Sequence, residues 1–179
     1  SPSDSAKVDS AKVDATAKVA TQMAHGYVFE DANGNRVRDE GEAGVEGIKV
    51  SNGQQIVSTG DDGSYSIEVS DDTIVFVIKP RGWMTPVNEL NLPQFYYIHK
   101  PNGSPAGLRF PAVAPTGPLP AEINFPLHRQ EEPDSFKALM FGDTQPRNVQ
   151  EVEYMAHDII EQIVAEDAHG ASLGVTLGD

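Results

Sequence analysis

The sequence predicts a mostly β protein, in which an N-terminal β-sandwich precedes the first β-α-β unit of an α/β domain. Three observations lead to this prediction. Residues 26–133 contain many short alternating apolar runs separated by Gly and Pro, residues 134–179 change to a strand-helix-strand pattern, and a charged segment ending in Pro133 lies between them. Residues 1–25 are polar and repetitive, since residues 5–9 recur as residues 10–14, and we expect a flexible tether there.

The predicted sandwich begins at Gly26 and is divided by turn signals. Asn52-Gly53 and Asp62-Gly63 are strong hairpin signals, because these residue types adopt the backbone conformations that tight turns need. A Phe-Pro-Leu run at residues 125–127 predicts the last strand before the charged segment. The preceding strands are predicted at residues 26–29, 48–51, 55–58, 64–69 and 73–78.

Residues 134–179 predict two parallel strands joined by one helix. Residues 136–142 are almost all apolar, which is typical of a strand buried on both faces, and residues 171–177 form a weaker second run. Asn148 and Glu151 resemble a capping box at the start of the helix, and Gly170 suits the position after its end. The apolar stripe of this helix of roughly 20 residues comprises Val149, Val152, Met155, Ala156, Ile159, Ile160, Ile163 and Val164.

Each of the two strands ends in Gly-Asp, at Asp143 and at Asp179. A right-handed crossover makes the strands parallel, so both aspartates leave the sheet at the same edge, where ligands bind in open α/β sheets. If the strands are neighbours, about 4.8 Å apart, the two carboxylates share a site. Like charges that close require a cation between them, which predicts a metal.

Composition limits the possible functions. The chain has 179 residues, 39% of them apolar, and no apolar run long enough to span a membrane. Its net charge of −14 predicts that it repels nucleic acid and anionic membranes, so an anionic phosphate substrate needs metal to be held. It has no cysteine, which excludes disulfides and thiolate metal sites and leaves the compartment open.

Residues 31–42 have the spacing of a calcium-binding loop. Two interpretations are open, a calcium site and a solvated acidic hairpin loop. Against calcium, Arg36 takes the sixth position, where such loops want Gly, and the loop follows a strand instead of a helix. The oxygen ligands would come from Asp31, Asn33, Asn35, the Val37 carbonyl, Asp39 and Glu42.

The motif at residues 139–145, the helix, and residues 175–179 resemble the opening β-α-β unit of the calcineurin-like metallophosphoesterases, whose first motifs are D-x-H and G-D-x-x-D. The resemblance implies a pair of divalent metals, Mn, Fe, Zn or Mg, with Asp143 as a ligand of one metal and Asp179 bridging both. Gln145 replaces the usual His. Its amide favours oxygen-preferring ions over zinc, which leaves the identity of the metal open.

The N-terminal part carries two further resemblances. Residues 59–65 are similar to a turn of the carboxypeptidase-regulatory and collagen-adhesin B-type modules of secreted bacterial proteins, which implies an extracytoplasmic (periplasmic or secreted) location. Residues 95–105, 116–120 and 125–127 resemble the N-terminal domain that precedes the catalytic domain in some bacterial metallophosphoesterases. The two halves support each other, because the sandwich precedes the Gly-Asp-Thr-Gln motif in the expected order.

Three functions are compatible with these patterns. In the first, the full-length protein is a metal-dependent phosphoesterase acting on a phosphate-ester small molecule or a phospholipid-like substrate, and this chain is an inactive N-terminal portion whose domain from residue 134 is incomplete. In the second, the chain is a non-catalytic extracytoplasmic β-sandwich module, either a surface-binding or a calcium-binding one, and its C-terminal β-α-β unit is incidental. In the third, it is a relic of the phosphatase fold, disabled at Gln145. The oligomeric state is not predicted.

Overall fold

The structure is a computed structural model that describes residues 20–110 and 112–177. These residues divide into two compact units, with the division between Glu131 and Glu132. The sequence-based boundary at residue 133 lies two residues further on. Within the described ranges, no helix combines the length and the apolar character needed to cross a membrane.

The first unit consists of two four-stranded β-sheets, which confirms the predicted mostly β fold. Its strands are β1 (Gln22–Glu30), β2 (Lys49–Ser51), β3 (Ile56–Ser58), β4 (Ser64–Val69), β5 (Thr73–Ile78), β6 (Trp83–Met84), β7 (Tyr96–His99) and β8 (Phe125–Arg129). One sheet has the order β4-β1-β8-β6, with β1 antiparallel to β4 and parallel to β8. The other has the order β3-β2-β5-β7, and each neighbouring pair in it is antiparallel.

The two sheets pack on one apolar core. Val28 of β1 and Leu127 of β8 face Val50 of β2 and Val75 of β5 across it, and all four are 0% exposed. Buried and exposed residues alternate along β4, so its apolar side chains point inward and its polar ones outward. This two-residue period is the pattern that predicted the strand.

The tether predicted at residues 1–25 is wrong for its last four residues, because β1 begins at Gln22. Ala24 is 1% exposed and belongs to the core, while His25 beside it is exposed. This polar-looking segment therefore alternates like a strand, and it pairs with β4 from Gln22 opposite Val69 onward. Residues 1–19 lie outside the described residues.

Only one of the two predicted hairpins is present. Asn52-Gly53 joins β2 to β3, which pair in antiparallel fashion, as expected. Asp62-Gly63 instead joins β3 to β4, which belong to different sheets. Gly63 has a φ of 79°, and an added Cβ would lie 2.3 Å from the Val28 carbonyl oxygen, so the turn packs tightly against β1. The dipeptide marked a turn correctly, but the turn crosses between sheets.

The second unit is a β-α-β unit with the predicted parallel pairing. Its strands are β9 (Ala138–Gly142) and β10 (Leu173–Leu177), paired from Leu173 opposite Ala138 to Leu177 opposite Gly142. Between them the chain forms α1 (Val149–Met155), a π-helical segment (Ala156–Ile160), α2 (Glu161–Ala165) and a short 3-10 turn (Asp167–Gly170). Asn148 caps α1 as predicted, since its side chain accepts the Glu151 backbone N–H.

The prediction that β9 is buried on both faces is wrong for this chain. Met140 of β9 is 57% exposed, and Leu177 of β10 is 58% exposed. The helical segments contain no buried residue either. A two-stranded sheet with one crossover has too few elements to enclose its apolar side chains, whatever their sequence pattern.

Candidate metal centre

Asp143 and Gln145 lie in the loop that follows β9. Asp143 has a φ of 54°, a left-handed backbone conformation that residues other than Gly rarely adopt. The Gln145 side chain turns back so that Nε2 donates a hydrogen bond of 2.6 Å to Asp143 Oδ1. The structure thus brings these two predicted ligands together at the carboxyl end of one strand.

The chemistry of this pair fits a hard divalent cation. The Gln145 amide presents its N–H to the carboxylate, as a neutral amide does beside a bare anion. Rotation of the amide by half a turn presents Oε1 instead, and then both side chains offer the oxygen ligands that Mg²⁺ and Mn²⁺ prefer. Both residues are exposed, so an ion reaches them from solvent.

The third predicted ligand, Asp179, lies outside the described residues. β10 runs parallel to β9 and ends with Leu177 opposite Gly142, so the last described residue of the strand is at the same edge as Asp143. In the described part of the chain, no three His, Cys, Asp or Glu side chains lie close enough together to hold a metal. Two metals therefore need ligands in addition to Asp143 and Gln145.

Arg147 lies in the same loop as Asp143 and Gln145 and was not predicted as a functional residue. Glu151 Oε2 accepts the Arg147 backbone N–H at 2.7 Å, and Glu151 Oε1 lies 3.1 Å from Arg147 Nη2. The Arg147 backbone N–H, together with the guanidinium, lowers the pKa of Glu151. A cation four residues before an acid is a sequence signal for an ion pair on a helix. The sequence pattern of Asn148 and Glu151 was interpreted only as a capping box.

The second candidate site is the loop of residues 31–42, and the Asp31 carboxylate is its centre. Asp31 is 2% exposed. Its Oδ1 accepts the backbone N–H groups of Gly34 at 2.8 Å and Asn35 at 3.2 Å, and its Oδ2 accepts that of Arg36 at 2.9 Å. One buried carboxylate therefore folds the first half of the loop around itself.

The other predicted calcium ligands of this loop turn toward one another. Asn33 and Asn35 each donate a side-chain N–H to Asp39 Oδ2, at 2.8 and 2.7 Å. Glu42 closes the loop, because its carboxylate accepts the backbone N–H of Asp39 and of Ala32. These exposed side chains therefore contact one another, while Asp31, Asp39 and Glu42 do not lie close enough together to hold a metal in this structure.

Arg36 adopts the backbone conformation that calcium loops normally obtain from Gly. Its φ is 67°, which is rare for a residue with a side chain. The guanidinium donates to the Val87 carbonyl at 2.6 Å and so fixes the residue in place. The sequence-based objection to Arg36 at this position therefore does not apply to the backbone path.

The fold and the loop after β9 together define a class of protein: a β-sandwich module joined to a parallel β-α-β unit with a carboxylate at the strand end. Residues 31–114 match the family model described as the N terminal of calcineurin-like phosphoesterase. The match confirms the resemblance of this part of the chain to the N-terminal domain of calcineurin-like phosphoesterases. No curated protein matches the chain.

The matched residues lie within the first unit. They include all four strands of the β3-β2-β5-β7 sheet and two strands, β4 and β6, of the other sheet. They also contain the loop of residues 31–42. The match ends before β8, so it covers neither Asp143 nor Gln145. The match therefore concerns the sandwich, and the chemistry of the second unit is a separate question.

Proposed function

We propose that this chain is part of a metal-dependent phosphoesterase. One observation carries the proposal: a phosphoesterase N-terminal domain is followed along the chain by a parallel β-α-β unit whose first strand ends in Gly142-Asp143-Thr144-Gln145. In parallel sheets, ligands bind at the carboxyl ends of strands, which is where this segment lies. The position and the residue types therefore agree with the family.

In the proposed site, Asp143 and Gln145 would hold one metal, and Asp179 would add a further carboxylate ligand, as the resemblance implies. When bound, a divalent pair of Mn, Fe, Zn or Mg supplies positive charge to the phosphoryl oxygens and acidifies a water molecule. Asp143 and Gln145 place that charge at the strand end, next to the loop that starts α1. The proposed substrates are phosphate-ester small molecules or phospholipid-like molecules, in an extracytoplasmic location.

The test uses a longer protein that contains this chain and continues beyond Asp179. The protein is stripped with a chelator and assayed on an aryl phosphate with and without Mn²⁺, Fe²⁺, Zn²⁺ or Mg²⁺. We expect hydrolysis only with metal, and no hydrolysis by the 179-residue chain, because a two-metal site needs about four protein ligands for each ion. Hydrolysis without metal contradicts the proposal, and metal binding without hydrolysis identifies a disabled relic.

The acidic loop supports a second candidate function, calcium binding by the sandwich. The observation in its favour is that Asn33 and Asn35 both contact Asp39, in a loop whose backbone the buried Asp31 carboxylate holds. We expect millimolar calcium, but not magnesium, to raise the melting temperature, since a ligand at 100 times its Kd stabilises by about 2.7 kcal/mol. Asp39→Ala removes the effect, whereas Asp61→Ala at an exposed turn retains it. An unchanged melting temperature would contradict calcium binding and support the interpretation as a solvated acidic loop.

A further inference from the structure

Unit 2 (residues 132–179) contains two residues of the Lys and Arg types, Lys137 and Arg147. Lys137 precedes β9, and its Nζ donates to the His169 carbonyl at 3.1 Å. Arg147 follows β9 in the same loop as Asp143 and Gln145. Of these two residues, only Arg147 lies at the carboxyl end of β9, in an otherwise acidic segment.

Glu151 holds the Arg147 side chain in a defined orientation. Arg147 Nε lies 3.4 Å from Glu151 Oε2, and Nη2 lies 3.1 Å from Oε1, so the two groups meet edge to edge. The carboxylate is anchored in turn by the Arg147 backbone N–H and by Asn148 Nδ2. Despite this anchoring, the Arg147 side chain is 85% exposed, while that of Glu151 is 29% exposed.

This geometry leaves one edge of the guanidinium available. A guanidinium has five N–H donors; Glu151 accepts the Nε–H, and its Oε1 lies within ion-pair distance of Nη2. Beyond this ion pair, the N–H groups of Nη1 and Nη2 have no partner among the described residues, and one from each nitrogen forms an outer fork. Such a fork matches two oxygens of a phosphate group, and this match is why Arg is preferred where planar anions are recognised.

We propose that Arg147 binds the phosphate group of the substrate at the carboxyl end of β9, and that Glu151 is the positioning residue that orients it. This inference rests on the proposed function. The recognised chemistry is a phosphate ester with at least two unesterified oxygens turned toward the guanidinium. The positive charge of Arg147 then attracts an anion that the acidic surface otherwise repels.

The alternative role for Arg147 and Glu151 is to stabilise the start of α1. An exposed ion pair of this kind adds little to stability, and the Asn148 side chain already accepts the Glu151 backbone N–H at 3.0 Å. A purely helix-stabilising pair affects the melting temperature and leaves anion binding unchanged. The two roles therefore differ in what a phosphate titration measures.

The test is a titration of the ¹⁵N-labelled chain with phenyl phosphate, in which NMR follows the Nε–H signals of the arginines. We expect the Arg147 signal to move saturably and Arg147→Ala to lower phosphate affinity about tenfold, as loss of a charge-assisted bidentate contact does. Arg147→Lys keeps the charge but not the fork, so its phosphate affinity should lie between those of the unsubstituted chain and Arg147→Ala. Arg109→Ala, at an exposed position of the sandwich, serves as control and leaves affinity unchanged. Equal affinity in Arg147→Ala overturns the proposal.

Glu151→Gln tests the positioning role. It keeps the shape of the side chain but weakens the grip on the guanidinium, so we expect phosphate affinity to fall about threefold at an unchanged melting temperature. A lower melting temperature with full phosphate affinity assigns Glu151 to the helix alone and overturns its positioning role.

The titration contains no metal and involves no turnover, so its outcome is separate from the proposed hydrolysis. If the longer protein shows no metal-dependent hydrolysis but Arg147 binds phosphate, the proposed function fails and the anion site stands. If hydrolysis occurs, Arg147→Ala should raise KM about tenfold and change kcat much less, because it removes binding of the ground state as well as the transition state. Hydrolysis with an unchanged KM overturns the role of Arg147.

Discussion

The two units of this chain differ in where their apolar side chains are. Unit 1 encloses thirteen residues of its sheets and connecting segments in one buried cluster. In unit 2, none of the described residues from 132 to 177 is buried, although β9, β10 and the helical stripe are as apolar as the sandwich strands. Apolar pattern determines which elements form, whereas burial needs a second layer for them to pack against. Folding stability therefore lies in the sandwich, and the candidate chemistry lies in the unit that contributes least to it.

The largest effect expected from this comparison is on core packing. Leu127→Ala in β8, which is 0% exposed, should lower the free energy of unfolding by about 2–5 kcal/mol, because it leaves a cavity between the sheets. Met140→Ala in β9, which is 57% exposed, should change it by less than about 0.5 kcal/mol. Chemical denaturation of both variants measures the difference. Equal losses would show that unit 2 is packed as tightly as unit 1.

A smaller effect is expected at the phenol of Tyr65, which is buried in the sandwich. Its O–H donates to the Ile123 carbonyl at 2.6 Å, so Tyr65→Phe leaves a carbonyl oxygen without its donor and should cost about 1–2 kcal/mol. Tyr96→Phe is the matched control, because Tyr96 is 48% exposed and its hydroxyl reaches water. A loss in the control as large as that in Tyr65→Phe would contradict the importance of the buried bond.

The same tyrosine predicts how the sandwich responds to alkaline pH. Burial raises the pKa of Tyr65 above its ordinary value, whereas in the unfolded chain the phenol ionises near pH ~10. The stabilisation that depends on the neutral phenol is therefore complete below that pH and is lost as the pH rises above it. Free energies of unfolding measured from neutral pH to pH ~11 should fall less steeply for Tyr65→Phe than for the unsubstituted chain. Identical slopes would contradict this prediction.

The smallest change expected in the sandwich is a gain in stability at His99. His99 is 0% exposed on β7. Neither ring nitrogen has a hydrogen-bond partner in the described structure, so His99→Leu should stabilise by about 1 kcal/mol, while His25→Leu at an exposed position changes little. A loss of stability in His99→Leu would contradict this prediction and show that the imidazole makes a stabilising hydrogen bond.

The strands of the sandwich were predictable where a two-residue alternation is clear. The predicted strands at residues 64–69 and 73–78 agree with β4 and β5. The start of β1 was missed because Gln22 and His25 are polar and exposed, so only Ala24 marks the inner face before Gly26. Asp62-Gly63 was misjudged because a turn dipeptide specifies a backbone bend and not which sheet the next strand joins.

The candidate site was predictable in its position but not in its contacts. The crossover places Asp143 at the carboxyl end of β9 from topology alone. The hydrogen bond from Gln145, the left-handed backbone of Asp143 and the grip of Glu151 on Arg147 depend on loop conformation, which short-range patterns do not determine. For the same reason, the contact of Asn33 and Asn35 with Asp39 is a structural finding.

Substitution of Asp143 tests most directly whether the carboxyl end of β9 is part of a two-metal phosphoesterase site. The measurement is the rate of metal-dependent hydrolysis of an aryl phosphate by the longer protein, compared for Asp143→Asn, Gln145→Ala and the unsubstituted form. Asp143→Asn should abolish hydrolysis, because it removes an anionic metal ligand, while Gln145→Ala should weaken metal binding less severely, because it removes a neutral one. Full activity of Asp143→Asn would contradict the assignment.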